Sequence, residues 1–374
     1  MKTTTFSIAT SWDNQLVENL SVLNKQHEGQ AKKVGEVFGS FQSSIVGCAR
    51  PSYRLPQVSV EQAKNHIALL HDVGIKFNYT LNAPDFGGKE NDADWSRKVE
   101  RLLATLEEIG VDVLTISHPT LIKLIKEKFP RFSITVSLIA EVDTVEKAQR
   151  FESMGADTIV LNPHTVNRDL TTIEKICSSM DCKIELYCNI PCLHRCQKAP
   201  AHYAYLGHMS QTGNPDAEKR MDPYLAWCSC IYLTRPVELI KSPFIRPEDI
   251  QAYSELGVKI FKLSDRGEST SWLTHTIGAY MSEHYDGDLF NLIFRNGKKF
   301  RVGVAEIYPE IADQDLAISI DNNVLTEMRF LENIRSLPPA QLPEFYHAVM
   351  QRAVKVNGKG FGNTLKKFLR EHGV

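Results

Sequence analysis

The chain has no run of apolar residues approaching the roughly 18 needed to cross a membrane, and its opening MKTTTFSIAT lacks a basic start followed by an apolar core. A secretory route is not expected; a soluble, cytoplasmic protein is. Charge of one sign is equally scarce, with 43 Lys and Arg against 45 Asp and Glu and a formal net charge of −2. No dense basic, aromatic-rich patch breaks this balance, which argues against a nucleic-acid partner. Internal repeats and low-complexity stretches are missing. So are a G-x-S-x-G elbow and an H-E-x-x-H helix, two well-marked signatures of hydrolases.

What is present is an ordinary globular balance, 43% hydrophobic and 24% charged, over 374 residues. That length suits one (β/α)8 barrel of about 250 residues plus an appendage. Short β-branched runs alternate with amphipathic stretches, as in parallel strands joined by crossover helices. Eight strands are predicted, at 6–10, 34–40, 75–81, 111–117, 133–138, 158–161, 183–189 and 259–264. Ser59 with Gln62, and Asp143 with Glu146, fit capping boxes. Gly74, Gly110, Gly155 and Gly257 each stand where a helix should give way to a strand. The fold class is therefore α/β, a TIM-type barrel over residues 1–285. Residues 286–374 read as a small C-terminal α+β extension. Within it Leu289–Phe294, a turn at Asn296 and Gly297, and Lys299–Ile307 suggest a β element. Helical segments follow around Asn323–Arg335 and Leu342–Val354, and Lys366, Lys367 and Arg370 make a solvated close.

One connection stands out. About seventy residues separate the seventh strand from the eighth, and connections of that length in compact domains are seldom without a function. The segment 189–245 leaves from the carboxyl end of its strand, the catalytic end of a parallel barrel. The last third of the connection, from Arg246 and Pro247 into Leu256, reads as a helix with proline in the first turn. Five of the eight cysteines fall close together here, at 188, 192, 196, 228 and 230; the others are Cys48, Cys177 and Cys182. Clustered thiols in a reducing compartment point to metal binding or catalysis before disulfides. Thiolates are soft ligands that suit iron–sulfur clusters or zinc, and by spacing alone a cluster, a zinc site and unligated thiols all remain open.

The run from Glu185 through Cys196, then Cys228 and Cys230, then Lys241-Ser242-Pro243 with Pro247-Glu248-Asp249-Ile250, and finally Gly257 through Asp265-Arg266-Gly267, resembles the collagenase-like peptidase family, peptidase family U32. The resemblance implies a barrel with a four-iron, four-sulfur cluster on four cysteines. It also implies oxygen-independent hydroxylation, since members are associated with that reaction on ubiquinone precursors and RNA bases despite the peptidase name. Carried onto this sequence, Cys192 and Cys196 match the early pair and one of Cys228 and Cys230 the later ligand. The expected metal set is Cys192, Cys196, Cys228 and Cys230, with Cys48 and Cys188 as alternatives for the fourth position and zinc as the alternative metal. Strand alternation turns Glu185 toward the barrel axis and Cys188 toward the helices, as a core thiol. The family's glutamate after the strand-eight lysine is replaced here by Leu263 and Ser264.

Several other side chains fall at strand ends. Arg266, catalytic or substrate-binding, offers a guanidinium fork to an anion; the plainer alternative is an ion pair with Glu185 or Asp265. Glu185 is a candidate proton-transfer group or one half of a buried salt bridge. Lys262, Asn189 and His202 are candidate substrate contacts, His202 with packing as its alternative. Asn78, Asn82, His118, Asn162 and His164 would line the same polar mouth. Cys177 and Cys182 fall at the opposite, stability end. Radical chemistry with S-adenosylmethionine fits poorly, because its triad sits early in the chain with different gaps. The expected function is an iron–sulfur enzyme performing a hydroxylation-type modification of a small molecule or peptide, with a related partner subunit or an electron donor. A peptidase is one alternative, and a non-catalytic iron–sulfur or zinc protein for electron transfer or assembly is the other.

Overall fold

A computed structural model describes residues 3–218, 222–295 and 317–357. Eight parallel strands close into a barrel in chain order: β1 Thr4–Ala9, β2 Lys32–Gly39, β3 Lys76–Leu81, β4 Val113–Ile116, β5 Ser133–Val136, β6 Thr158–Val160, β7 Lys183–Tyr187 and β8 Ile260–Leu263. The ring shuts where Thr5 to Ile8 of β1 pair with Ile260 to Leu263 of β8. Every predicted strand is present, with ends moved by no more than two residues. The predicted helix-ending glycines have left-handed φ values of +73° at Gly74, +91° at Gly110, +95° at Gly155 and +110° at Gly257. That conformation costs glycine nothing, so each turns the chain sharply back into the sheet.

Helix starts follow local hydrogen bonding. At Val60–Asp72 the box is complete: Ser59 Oγ accepts from Gln62 N at 3.1 Å, and Gln62 Oε1 accepts from Ser59 N at 2.9 Å. Ser59→Ala is expected to cost about 1 kcal/mol in chemical denaturation; a change within error would remove the cap from the helix's stability. The box expected at Asp143 is corrected by one residue. Thr144 caps the helix Val145–Ser153, while the Asp143 carboxylate is drawn to Lys147 Nζ at 2.7 Å.

Inside the barrel the usual apolar layers are interrupted by polar side chains. Ser7 Oγ and Asn78 Nδ2 donate to Glu36 Oε1 at 2.7 and 3.0 Å, and Thr115 Oγ1 donates to Asn78 Oδ1 at 2.7 Å. On the other side of the ring, Lys262 Nζ lies 3.3 Å from Glu185 Oε1.

The long connection after β7 folds into the helices Ala199–His208, Pro223–Thr234 and Val237–Lys241, then a 3-10 turn Pro247–Asp249 leading into Ile250–Glu255. After β8 come the helices Thr270–Ser282 and Leu289–Phe294. The second of these corrects the expected β element: Asp288 caps it, accepting from Phe290 N at 3.0 Å. Lys299–Ile307 and the basic tail lie outside the described residues. Strands β9 Ala317–Ile320 and β10 Val354–Asn357 pair antiparallel, flanking the helices Asn322–Glu327, Phe330–Ser336 and Leu342–Ala353. Leu289, Phe294, Ile320, Phe330 and Val349 belong to the same continuous apolar core as the barrel strands. Among the described residues no helix is long and apolar enough to cross a membrane.

Candidate functional site

The cysteine turn begins just beyond β7. Arg195 takes a left-handed φ of 51°, uncommon for a side chain of this size, and donates its N–H to His164 O at 3.0 Å. From across the loop Ser242 Oγ donates to Cys192 O at 2.8 Å and Ile190 O at 3.3 Å. Ser242 is itself held through its carbonyl, which accepts from Arg168 Nη2 at 2.8 Å, and the Arg168 guanidinium stacks on Phe244 and Phe330. The serine–proline corner of the sequence thus acts as a latch on the cysteine turn. Cys196 Sγ faces the N–H groups of Lys198 and Ala199; burial, the larger effect, still raises its thiol above the ordinary value.

Tyr232, fully buried on the helix Pro223–Thr234, is pushed well above the ordinary tyrosine range, first by burial and then by the nearby sulfurs of Cys228, Cys192 and Cys196. Tyr203 is shifted the same way, by burial and then by Cys192 and Cys196. Cys192, Cys196 and Cys228 thus all act electrostatically on Tyr232. Cys230 does not join them. Residues two apart on a helix point to different sides, and burial alone pushes the Cys230 thiol up to about 12. Cys228 and Cys230, expected on one metal, thus leave the helix Pro223–Thr234 in different directions. Among the described residues no three His, Cys, Asp or Glu side chains converge as a single metal ion requires.

A chamber of about 140 Å³ opens at the carboxyl ends of the strands. Cys192, His202 and Tyr203 form one side of it, Phe38, Val160 and Leu206 contribute apolar surface, and Lys262, Arg50, Arg266 and Arg295 supply cations. His164 Nδ1 lies 3.2 Å from the Leu193 carbonyl, which can only accept, so Nδ1 carries the proton. His164 Nε2 is then free to accept from the Tyr203 hydroxyl at 2.7 Å, and burial lowers the pKa of this histidine. Tyr203 is thereby fixed beside the cysteine turn.

The family model described as peptidase family U32 matches residues 44–190. An uncharacterized protease of Methanocaldococcus jannaschii is 30% identical over 278 residues, which are 74% of this chain and 81% of the relative. The chain belongs to peptidase family U32. Among solved structures, the U32 peptidase Mk0906 is similar with a TM-score of 0.48 at 17% identity, covering 70% of this chain and 93% of that one. Phosphoribosyl anthranilate isomerase from Thermus thermophilus gives a TM-score of 0.36 at 9% identity, covering 74% of this chain and 96% of its own.

The remaining candidates of this U32 protein divide cleanly. Arg266 is 5% exposed and makes neither ion pair expected of it. Its Nη1 donates to Ser40 Oγ at 2.5 Å, Thr80 Oγ1 at 2.6 Å and Cys48 Sγ at 3.4 Å. Burial raises the Cys48 thiol, but Arg266, Ser40 and the Arg50 backbone outweigh it and leave the thiol below its ordinary value. Asp265 instead binds Arg50 Nη2 at 2.9 Å and Arg295 Nη1. Glu185 lies beneath the chamber in its salt bridge with Lys262, pushed up to about 7 by burial against the opposing pull of Lys262. Asn189 is a clamp between β7 and β8 rather than a chamber contact: its amide donates to Ser264 O at 2.8 Å and its Oδ1 accepts from Ser264 N at 2.8 Å. His202 lines the chamber and pairs with Asp222 at 3.2 Å.

Asn82 also lines the chamber, accepting from Ala49 N at 2.9 Å. Asn78 lies within the barrel, Asn162 caps the short helix Pro163–Val166, and His118 packs against Phe86. Cys188 is a core thiol, fully buried, as its strand phase predicts. Cys177 touches Gly257 ahead of β8, and Cys182 N donates to Glu152, both at the far end. Sequence reasoning missed Arg50 and Arg295. Neither sits at a strand end, and only the folded chain brings them to the mouth.

Proposed function

We propose that this U32 protein is an iron–sulfur enzyme, with Cys192, Cys196 and Cys228 as cluster ligands, that carries out a hydroxylation-type modification of a small molecule. The observation that supports this reading is that Cys192, one of the closely spaced cysteines of the loop after β7, lies in the wall of the chamber. When bound, the cluster would supply one-electron transfer and a Lewis-acidic iron beside the substrate. The chain's own residues do the rest. Ser242 and Arg168 hold the cysteine turn, Tyr203 presents a hydroxyl oriented by His164, and the arginines fix the substrate. Glu185, with a pKa near neutrality beneath Lys262, is suited to hold or release a proton at the chamber floor.

Anaerobically purified protein should contain iron and acid-labile sulfide and show cluster absorbance. Cys192→Ala combined with Cys196→Ala should remove both. Protein without iron, or a double variant that keeps its absorbance, would sink the proposal. The protease name of the Methanocaldococcus relative favours a second reading, hydrolysis. Peptide cleavage by metal-free protein would select it.

A further inference from the structure

The mouth of the barrel has a surplus of buried positive charge. Arg50 from the loop after β2, Arg266 from the end of β8 and Arg295 from the residue after the helix Leu289–Phe294 all line the inner chamber. The same three side chains line an outer cavity of about 500 Å³, together with Arg54, Asp265 and Glu268. They form a wall common to both spaces. Asp265 is bound by Arg50 and by Arg295, and Glu268 adds a weaker field on Arg295. The hydrogen bonds of Arg266 all run from one nitrogen, to two hydroxyls and one sulfur, and no carboxylate among the described residues pairs with it. Nε of Arg50 and Nε of Arg295 are buried donors without an acceptor. A buried cation is costly unless an anion accompanies it, and a guanidinium with unused nitrogens presents a fork that fits a carboxylate.

The inner chamber sets the size and character of that anion. At roughly 10–15 Å³ for each water-sized sphere, about 140 Å³ holds on the order of ten non-hydrogen atoms. Away from the arginines its surface is largely apolar, from Phe38, Leu138, Ile139, Val160 and Leu206, with Asn82, His202, Tyr203 and Lys262 as polar points on it. We infer that the chamber takes a small free acid, its apolar body against these side chains and its carboxylate on Arg266. The inference rests on the reading of this chamber as the reaction site and names the class of substrate that enters it.

Phenylacetate matches this description, and phenylacetamide keeps its shape without the charge. Binding of both to the purified full chain is to be followed by calorimetry at low salt, for the wild type and for Arg266→Met. The acid should bind at least tenfold more tightly than the amide, and Arg266→Met should lose at least tenfold for the acid while leaving the amide unchanged. Equal affinity for acid and amide in the wild type, or no binding of either, overturns the inference without any variant having to fold. So does a variant that binds the acid as the wild type does. Inorganic phosphate competing as strongly as phenylacetate would assign the arginines to the outer cavity, and a peptide ending in phenylalanine binding as tightly would assign them to a chain terminus; either result overturns the free-acid assignment. Iron and sulfide content is read separately. Acid binding by iron-free protein keeps this inference and fails the cluster reading, and iron-loaded protein indifferent to the acid does the reverse.

Discussion

Lys262→Met should destabilise the protein by about 3–5 kcal/mol at pH 8, because it leaves Glu185 as an unpaired charge inside the barrel. Lys262 and Glu185 side chains are 6% and 1% exposed, so water cannot replace the lost partner. The cost should depend on pH in a stated direction. Burial already pushes Glu185 up to about 7, against an ordinary 4.5, so the folded state binds a proton that the unfolded state releases. The stability linked to that proton is complete below about pH 4.5 and is lost as pH rises through 7. Without Lys262 the folded carboxyl holds its proton more firmly still, and the deficit should shrink at pH 5.5. Urea unfolding of wild type and variant at pH 5.5 and 8 measures it. An equal deficit at both values would show that the lost packing over Phe38, whose ring lies 4.1 Å from Lys262 Nζ, matters more than the charge. Glu185→Gln in the wild-type background should flatten the pH dependence between those values.

Gly47→Ala should cost about 3 kcal/mol or more, well beyond an ordinary loop substitution. Gly47 has a φ of +83°, and a Cβ there would lie 2.7 Å from the Gly207 carbonyl oxygen and 3.0 Å from Ser210 Oγ. The carbonyl is backbone of the helix Ala199–His208. The Ser210 hydroxyl is fixed by the Cys48 N–H and the Cys48 carbonyl, both at 2.7 Å. Neither neighbour can step aside without carrying Cys48, Ala49 and Arg50 out of position. Gly29→Ala supplies the control: its φ is +82°, with nothing within 4 Å of an added Cβ. It should cost about 1 kcal/mol, the backbone term alone. If the two variants lose the same stability, the close approach to the helix is not what requires glycine at position 47.

The barrel was legible because its signals are local. Each strand is a short β-branched run, and the glycines ahead of the third, fourth, sixth and eighth strands announce a left-handed turn without reference to anything distant. The errors arose where local signals conflict. Leu289–Phe294 is six consecutive residues, five of them apolar, which period alone assigns to neither helix nor strand; Asp288 as a cap was the cue for a helix. Asp222 and Pro223 mark a helix start in the same way, and that start places Cys228 and Cys230 on different sides. Glu185 and Cys188 were read correctly from strand alternation. Asn189, two residues past the end of β7, spends its amide on the backbone of Ser264 just past β8. Arg50 and Arg295 carry no local mark. Their role depends on a shared carboxylate, Asp265, which lies more than two hundred residues from one and thirty from the other.

Arg295 lies beyond the eighth strand in the chain, yet it closes the mouth of the barrel. On the ribosome the strands, the cysteine turn and Arg266 all emerge before it, so a nascent barrel with every strand in place still lacks one side of its chamber. The wall is completed last, by the segment that follows the barrel. A version of this protein cut after Tyr280 would retain all eight strands and every cysteine but would lack the residue that helps hold Asp265 in place. Grafting the barrel into another protein would therefore have to carry the helix Leu289–Phe294 and Arg295 with it.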